Sequence, residues 1–400
     1  MDIYEPAEDS YLLQKVVRHY AMGRILDMGT GSGIQALSAM EAPNTKEIIA
    51  VDINQDAVDR LNNEVRERKL RKIKAVHGNL FENLEGHFNV IIFNPPYLPQ
   101  DKGVDDKAIY GGKKGWELSE QFFAEASQYL FPDGVILFLF SSLTSKDKIE
   151  EIIAHNLLEF EEEEKQKVSF ETLYVYAVRK TALLRELEGK GLQHLHYFAK
   201  GKRSFVYTAD LDKNIWIKSH FSRKEKVTVA VKVLREDSQA VGRIENEIKW
   251  LHTFMKEGIG PRLLFHGNNY LAYEFVDGVF IADWITQSTK EETRNVLLTI
   301  LEQCFVMDRF NVNKEEMHHP LKHIIIDRNN HPTLIDFERC KETESPQNVT
   351  QLVEFICRMK PELQKKGFTI DVPTLRGLAQ EYKETYTKDS FIDLRRQLTL

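Results

Sequence analysis

The chain has 400 residues, of which 42% are hydrophobic, and this length is more than one hydrophobic core usually accommodates. The formal net charge is −7, and residues 1–180 contain 21 Lys and Arg against 30 Asp and Glu. This acidic balance disfavours a polyanionic partner for the first part, because phosphate backbones are bound through Lys and Arg. From the length of the chain we expect two domains, which we place over residues 1–180 and 181–400.

The cysteines and the amino terminus indicate the cellular compartment. Cys304, Cys340 and Cys357 form no Cys-x-x-Cys pair and no even-numbered framework, which is typical of a reducing compartment. Residues 1–13 carry acidic side chains and no apolar segment, so they do not resemble a signal peptide. No stretch approaches the roughly 18 apolar residues that a membrane span needs. We expect a soluble cytoplasmic protein that does not contact a membrane.

Short apolar runs alternate with amphipathic segments between Gly23 and Arg179. Five of the runs predict strands, namely RILDMG, EIIAVDI, KIKAVHG, FNVIIFN and GVILFLFSS, with helices between them over 33–43, 55–69, 117–130 and 146–157. Such alternation is typical of βαβ units and a parallel sheet. Two strand-like runs between residues 160 and 179 predict an antiparallel hairpin at its edge. The fold class is therefore α/β and Rossmann-like, with seven strands that are mostly parallel.

Glycines and acids follow the first two predicted strands. The first strand leads into Asp27, Gly29 and Gly31, where glycines let the backbone approach a ligand closely. The second strand ends in Asp52, at a position where an acid can accept hydrogen bonds from both hydroxyls of a ribose. Together they predict a nucleoside-binding crevice at the carboxyl ends of these strands.

The tetrapeptide Asn94, Pro95, Pro96 and Tyr97 follows the strand FNVIIF beside that crevice. The lone pair of an amide or aromatic amine nitrogen is delocalised, so such a nitrogen reacts poorly until acceptors hold its N–H groups. The Asn94 side-chain oxygen and the Pro95 carbonyl can supply two acceptors, and Tyr97 offers a face for stacking. The motif predicts methyl transfer from S-adenosylmethionine to a planar nitrogen, which could be a protein amide or a nucleic-acid base amine.

Together with residues 4–13 and the segment YGG, these motifs resemble the archaeal and eukaryotic HemK-type glutamine methyltransferases, which modify the Gly-Gly-Gln motif of class I translation release factors. The resemblance covers roughly residues 2 to 180. It implies a release factor as substrate and a small zinc-binding activator subunit as partner. It also implies that S-adenosylmethionine is bound by Glu8, Asp9, Gly29, Gly31 and Asp52, and that Asn94 and Tyr97 grip the substrate amide.

Two positions depart from that family. Asn79 stands where the family usually has an acid near the adenine, and Lys114 stands where an aspartate is common. The side-chain oxygen of Asn79 can still accept a hydrogen bond from the exocyclic amine of adenine. Asn79 therefore stays among the predicted cofactor-binding residues, whereas Lys114 leaves the substrate less narrowly defined.

The pattern changes after Lys180. Residues 181–198 are first helical and then turn-like in character, and a helix is predicted over 240–256. Strands are predicted over 204–210, 215–221, 228–235, 262–267 and 270–276. Strands followed by helices predict an α+β second domain.

A lysine in an apolar strand marks the chemistry of this second domain. Protein kinases hold such a lysine, here Lys232, against nucleotide phosphates and pair it with a helix glutamate. Glu247 is the best candidate for that partner, and Glu245 is the alternative. Asp336 follows an apolar strand, as the magnesium-binding carboxylate of a kinase does, although Glu338 replaces the usual glycine. The backbone of 274–276 could meet an adenine.

The usual His-x-Asp catalytic loop does not occur between these motifs. Residues 314–326 stand in its place, where Glu316 could be the carboxylate near the incoming hydroxyl. His323 could be a metal ligand or could contact phosphate. His318 and His319 do not predict zinc, because they are adjacent and no cysteine joins them.

These segments resemble the archaeal RIO-like kinases, a family that includes a tRNA ribose kinase, over roughly residues 190 to 350. The resemblance implies an α+β protein-kinase-like domain that uses ATP and Mg²⁺, with a protein Ser/Thr or a tRNA ribose hydroxyl as the phosphate acceptor. The alternative is a pseudokinase module without catalytic activity. It would bind tRNA or ribosomes through the basic clusters at 200–203 and 223–226.

Overall fold

The computed structural model describes residues 3–100, 110–211, 227–235 and 242–399. The chain divides into two compact units, the first extending to Tyr197 and the second beginning at Phe198. The strand predicted over 215–221 and the basic cluster at 223–226 lie outside the described residues. Among the helices that the structure describes, none has the length and apolar content that crossing a bilayer requires.

A seven-stranded sheet forms the centre of the first unit. Its strands are β1 (Gly23–Met28), β2 (Thr45–Asp52), β3 (Ile73–His77), β4 (Phe88–Phe93), β5 (Leu130–Ser141), β6 (Leu158–Val168) and β7 (Glu171–Lys180). They lie in the order β3-β2-β1-β4-β5-β7-β6. Strands β1 to β5 are parallel, whereas β7 runs antiparallel to β5 and to β6. The predicted mostly parallel Rossmann-like sheet with its edge hairpin is confirmed.

Helices precede, connect and follow these strands along the chain. They are α1 (Glu8–Tyr20), α2 (Ile34–Met40), α3 (Gln55–Glu67), α4 (Glu117–Ala126), α5 (Lys146–His155) and α6 (Ala182–Gly189). Helix α1 buries Leu12, Leu13, Val16 and Val17, a spacing that places one apolar face on the core of this unit. Helix α3 begins after Asn54, whose side chain accepts a hydrogen bond from the backbone amide of residue 56.

A five-stranded sheet has its first strand at the division between the two units and its other four strands within the second unit. Its strands are β8 (Leu192–Lys200), β9 (Ser204–Leu211), β10 (Val227–Leu234), β11 (Leu263–His266) and β12 (Tyr270–Glu274), in the order β11-β12-β10-β9-β8. The prediction of a turn-like segment before residue 198 is wrong, since β8 lies there. His194 has a φ of +52°, and Leu192 and Leu195, three residues apart, are both buried. The two-residue periodicity that indicates a strand is therefore interrupted.

Helices and short strands make up the rest of the second unit. The helices are α7 (Arg243–Phe254), α8 (Ile281–Gln287), α9 (Lys290–Arg309), α10 (Asn348–Arg358), α11 (Lys360–Lys365), α12 (Val372–Thr385) and α13 (Lys388–Thr399). The short strands are β13 (Gly278–Phe280), β14 (Val312–Lys314), β15 (Ile324–Asp327), β16 (Pro332–Leu334) and β17 (Cys340–Glu342). Strands β13, β15 and β16 form one small sheet, and β14 and β17 form another. These small sheets fix both ends of the loops that carry Glu316, His323 and Asp336.

Candidate functional site

A cavity of about 510 Å³ lies at the carboxyl ends of β1, β2 and β4 in the first unit. Its volume is within the range of roughly 300 to 1,000 Å³ that is usual for small-molecule sites. Glu8 is exposed and is not among the lining residues, and the same holds for Lys114. The predicted site residues that do line the cavity are Asp9, Asp27, Gly29, Gly31, Asp52, Asn79, Asn94, Pro95 and Tyr97.

The turn after β1 is held by Asp52. One carboxylate oxygen, Oδ2, accepts a hydrogen bond from the Gly31 amide at 2.8 Å, and Oδ1 accepts one from the Asn54 amide at 2.8 Å. Gly29 and Gly31 have φ values of +64° and +51°, a region that residues with a side chain rarely adopt. A carboxylate has about four acceptor positions, so Asp52 is fixed in place and can still accept hydrogen bonds from a ligand.

Asp27 holds the other side of the same turn. Its Oδ2 accepts hydrogen bonds from the Thr30 hydroxyl at 2.6 Å and from the Ala36 amide at 3.1 Å. Burial raises the pKa of the Asp27 carboxyl to about 7, although both hydrogen bonds act in the opposite direction. In this structure Asp27 therefore connects β1 to α2, and a protonated form is accessible to it near neutral pH.

Asn94 presents an uncommitted acceptor. Its Nδ2 donates to Asp9 Oδ2 at 2.7 Å, which fixes the orientation of the side-chain amide. Asp9 is held in turn by the hydroxyls of Tyr4, at 3.1 Å, and Ser10, at 3.3 Å. Asn94 Oδ1 is buried and has no hydrogen-bond partner among the described residues. An unpaired buried acceptor costs about 1–3 kcal/mol, so its presence at a cavity indicates a place for a ligand donor.

The loop from Asn94 to Tyr97 is fixed through its backbone. The Thr144 hydroxyl donates to the Tyr97 carbonyl at 3.0 Å. A Cβ atom at Gly111 would lie 2.4 Å from the Pro96 carbonyl oxygen, so only glycine allows this approach. Burial, followed by the nearby Asp9 charge, raises the pKa of the half-buried Tyr97, whose hydroxyl thus stays neutral. These contacts hold the backbone of the loop in place at the cavity.

Two residues of this site have no role assigned from the sequence. Tyr4, the first residue of the motif over residues 4–13, lines the cavity and supports Asp9. Gln35 also lines it: its Nε2 donates to the Ser10 carbonyl at 2.9 Å, while its buried Oε1 has no partner among the described residues. A polar side chain on the small-residue face of α2, beside Ala36 and Ala39, is the signal that would have indicated Gln35.

A second cluster of charged side chains lies around Lys232 in the other unit. Lys232 is 8% exposed, and its Nζ lies 2.7 Å from Glu247 and 3.0 Å from Asp336. Glu338 is 3.6 Å away, whereas Glu245 is exposed. Burial disfavours the charged form of Lys232, but the adjacent carboxylates outweigh this effect and raise its pKa well above the usual value. One ammonium thus compensates several carboxylates.

Asp336 is surrounded by further groups of this cluster. Burial acts to raise the pKa of Asp336, but Lys232 and Lys314 outweigh burial and hold it below its usual value. Lys314 is fully buried, donates to the Asp336 carbonyl and lies 3.2 Å from Glu316. His323 Nδ1 is 3.7 Å from Asp336 Oδ2, and burial with the Lys314 charge lowers its pKa. Lys314 is the member of this group that the sequence motifs do not indicate.

The segment predicted to meet an adenine is partly committed to the protein. The Glu274 amide donates to the Arg262 carbonyl at 2.9 Å, and the Phe275 amide donates to the Thr228 carbonyl at 2.9 Å. These two amides are therefore not available to a ligand in this conformation.

Comparison with known proteins places the first unit among methyltransferases. The family model described as methyltransferase small domain matches residues 8–169. A provisionally named protein N5-glutamine methyltransferase of Methanocaldococcus jannaschii is 37% identical over 179 residues, which are 44% of this chain and 90% of that protein. The release factor glutamine methyltransferase of Deinococcus radiodurans is 34% identical over 136 residues, 32% of this chain and 49% of that protein.

A solved structure also resembles part of the chain. It is the E. cuniculi Mtq2-Trm112 complex, described as responsible for methylating the translation termination factor eRF1. The similarity covers 45% of this chain and all of that chain, at 23% identity and a TM-score of 0.38. The assignment of the first unit rests on the sequence relatives, not on this structural similarity.

Proposed function

The chain belongs, through its first unit, to the protein N5-glutamine methyltransferase family, and from this premise we propose that it transfers a methyl group from S-adenosylmethionine to the side-chain amide of a glutamine. The observation that carries the proposal is the uncommitted Oδ1 of Asn94, whose orientation is fixed by Asp9. A glutamine amide offers an N–H donor that matches this acceptor.

The residues of the cavity fit the proposed cofactor. The free acceptor positions of Asp52 suit the two hydroxyls of a ribose, and the turn at Gly29 and Gly31 admits a close approach to the backbone. The buried Oε1 of Gln35 and the exposed Asn79 are further acceptors in the lining. S-adenosylmethionine, when bound, would supply a methyl group on a positively charged sulfur as the electrophile.

The residues of this chain then act by binding and orientation. In this proposal Asn94 Oδ1 accepts one N–H of the substrate amide, and the carbonyl of Pro95, which lines the cavity, serves as the second acceptor. The face of Tyr97 supports the planar group. Two acceptors hold the nitrogen with its lone pair towards the methyl group and stabilise the positive charge that develops on nitrogen before its proton leaves to solvent. The chemistry needs no strong base, because that nitrogen becomes strongly acidic as the new bond forms.

A translation release factor is the substrate that we propose. The relative from Deinococcus is named for this substrate, and the acidic first unit is unfavourable for a nucleic-acid acceptor. Another relative, from Francisella tularensis, is named a ribosomal protein uL3 glutamine methyltransferase, so a second glutamine-bearing protein belongs in the test. The proposed small activator subunit rests on the family resemblance alone.

A methyl-transfer assay tests the proposal. The full chain is incubated with S-adenosylmethionine carrying a labelled methyl group and with release factor, uL3 or total tRNA. We expect label in the release factor. Parallel reactions with and without a co-expressed activator subunit compare the extent of labelling. Label in tRNA alone would contradict the glutamine assignment and would favour a base amine as acceptor.

A second activity, ATP-dependent phosphoryl transfer, is proposed for the second unit. The contact that favours it is the buried ion pair of Lys232 with Glu247, with Asp336 at 3.0 Å from the same ammonium. Kinases use this arrangement to hold nucleotide phosphates and Mg²⁺. Asp336 would be the metal ligand, and Glu316 would orient the acceptor hydroxyl. His323, whose pKa is lowered, would be neutral and could contact metal or phosphate.

Labelled ATP tests this second proposal against a protein and a tRNA acceptor. We expect transfer of the γ-phosphate by the unmodified chain and its loss in Asp336→Asn. If ATP binds and no phosphate is transferred to either acceptor, the alternative of a binding module without catalytic activity is favoured. If ATP does not bind, both readings of the second unit as a nucleotide-binding domain are wrong.

A further inference from the structure

The side chain of Glu338 lies among three cations in the second unit. Its Oε1 is 3.1 Å from Arg203 and 3.5 Å from Arg243, and its Oε2 is 3.6 Å from Lys232. The Glu338 side chain is only 14% exposed. A single carboxylate therefore receives the positive charge of two guanidinium groups and one ammonium.

The three cations come from separate parts of the unit. Arg203 lies between β8 and β9, Lys232 is on β10, and Arg243 is the first residue of α7. The backbone of Glu338 is fixed independently of its side chain, because Asn246 Nδ2 donates to its carbonyl at 3.0 Å. Three separate elements thus place cations around one position, and together they form an anion site. The Glu338 carboxylate occupies this site.

The charges of the described residues indicate what the site would accept. Among them, Glu247, Asp336 and Glu338 oppose Lys232, Arg203 and Arg243, so these six side chains sum to zero charge with Glu338 in place. Moving that carboxylate away would leave a net positive site lined by planar guanidinium forks, which match the oxygens of a phosphate group. A phosphate carries more negative charge than a carboxylate and can satisfy more donors.

We propose that Arg203, Lys232 and Arg243 form a phosphate-binding site, and that Glu338 occupies it as an internal anion which an incoming nucleotide phosphate must displace. The identity of the ligand as a nucleotide rests on the proposed kinase function. The anion site itself does not, because it follows from the positions of the three cations. Glu338 is thus a gate on phosphate affinity, built into the position where kinases usually have glycine.

A role of Glu338 as a metal ligand would predict the opposite effect of removing its charge on phosphate binding. Oxygens of Glu247, Asp336 and Glu338 lie within 4.8 Å of one another, a spacing that could hold a cation. Lys232 Nζ, however, lies within 3.6 Å of all three carboxylates, so an ammonium already meets them. If Glu338 served a metal, removing its charge would weaken binding of a metal-bound phosphate. If it is an internal anion, the same change would strengthen phosphate binding.

Calorimetric titration of the full chain with pyrophosphate, without divalent metal, tests the proposal. Glu338→Gln keeps the size of the side chain and one acceptor oxygen, removes the negative charge and replaces the second oxygen by an NH2 donor, and we expect affinity to rise about tenfold. Arg243→Gln should lower affinity in the same titration. Glu342→Gln is the matched control, because this exposed residue pairs with Lys249 away from the cluster, and it should leave affinity unchanged.

A second titration with ATP and Mg²⁺ separates this proposal from the kinase proposal. Tighter pyrophosphate binding by Glu338→Gln, without ATP binding by either form, would support the anion site and overturn the nucleotide function. Unchanged or weaker pyrophosphate binding by Glu338→Gln would overturn the internal-anion proposal, whatever ATP does. If Glu338→Gln weakens the binding of ATP with Mg²⁺ and leaves pyrophosphate binding unchanged, Glu338 is a metal ligand and the internal-anion proposal is wrong.

Discussion

The two charged sites of this chain are prepared for ligands in opposite ways. In the first unit, Asp9 fixes the Asn94 amide, and Asn94 Oδ1 has no hydrogen-bond partner within the described part of the chain, at a cavity of about 510 Å³. In the second unit, the carboxylates of Glu247, Asp336 and Glu338 are paired with the cations of Lys232, Arg203 and Arg243. The first site offers free hydrogen-bonding capacity, whereas the second must exchange internal ion pairs for ligand contacts. A buried acceptor left open is thus a stronger pointer to a ligand than a dense cluster of charges.

The origin of the residues also differs between the sites. In the first unit the key groups follow the ends of neighbouring parallel strands, so that the topology of the sheet brings them together. In the second unit they come from positions between 203 and 338 and meet through long side chains.

The largest expected effect is on methyl transfer in Asn94→Ala. This change removes the open acceptor, and we expect the specificity constant kcat/KM for the protein substrate to fall about 1,000-fold, as for the loss of a preorganised polar group at a reacting centre. Affinity for S-adenosylmethionine, measured by calorimetry, should change little. Asn63→Ala, on the exposed side of α3, is the control. An equal fall of kcat/KM in both variants would contradict the role proposed for Asn94.

Lys232→Met tests the cluster of the second unit in which the charged side chains around Lys232 pair with one another. Removing the ammonium leaves the buried Glu247 and the half-buried Asp336 without this partner, which should lower the free energy of unfolding by about 3 kcal/mol. Fluorescence of the buried Trp250 and Trp284 reports unfolding of this unit. The double variant with Glu247→Gln should recover part of the loss. Methyl transfer should be unaffected, and a parallel fall in it would show that the sites are not independent.

Asp27→Asn tests how the turn of the first site depends on pH. The pKa of Asp27 is about 7 in the folded state, above its usual value of 3.8, so the folded state binds the proton more tightly. Stability of the turn should therefore fall as pH rises from 4 to 7, by up to about 4 kcal/mol at 1.36 kcal/mol per pKa unit. Hydrogen exchange of peptides from β1 and α2 should show this trend. In Asp27→Asn this pH dependence should disappear. An unchanged pH dependence in the variant would show that another group causes it.

Asp9→Asn should have the smallest effect. The Asn94 amide loses a charged acceptor at 2.7 Å but keeps a neutral one, so its orientation becomes less strictly held. We expect kcat to fall about tenfold while the KM for S-adenosylmethionine stays the same. Asp56→Asn, exposed at the start of α3, is the matched control. A change confined to KM would instead make Asp9 a cofactor ligand.

Much of the first unit could be predicted because its signals are local. Apolar runs gave its parallel strands, and the polar residues that directly follow each run line the cavity. Gln35 was not predicted because its signal, one polar residue on the small-residue face of α2, is weak and belongs to no motif. Glu8 shares a motif with Asp9, yet adjacent helix positions point in different directions, and only Asp9 reaches the cavity.

The second unit was harder to predict because its contacts link distant positions. Helix periodicity favours Glu247 over Glu245, since 247 is on the face that also buries Trp250 and Leu251, and the structure has Glu247 at 2.7 Å from Lys232. Lys314 was missed because nothing near it in sequence indicates that it is fully buried beside Asp336. The interruption of β8 at His194 likewise depends on a single backbone conformation, not on residue pattern.

The central claim is that the open oxygen of Asn94 receives a glutamine amide. Tandem mass spectrometry of the release factor after incubation with the full chain and S-adenosylmethionine tests it most directly, with Asn94→Ala run alongside. We predict a mass gain of one methylene on the side chain of a single glutamine, present with the unmodified chain and absent with the variant. Methylation on any other kind of residue, or the same glutamine product from Asn94→Ala, would contradict the claim.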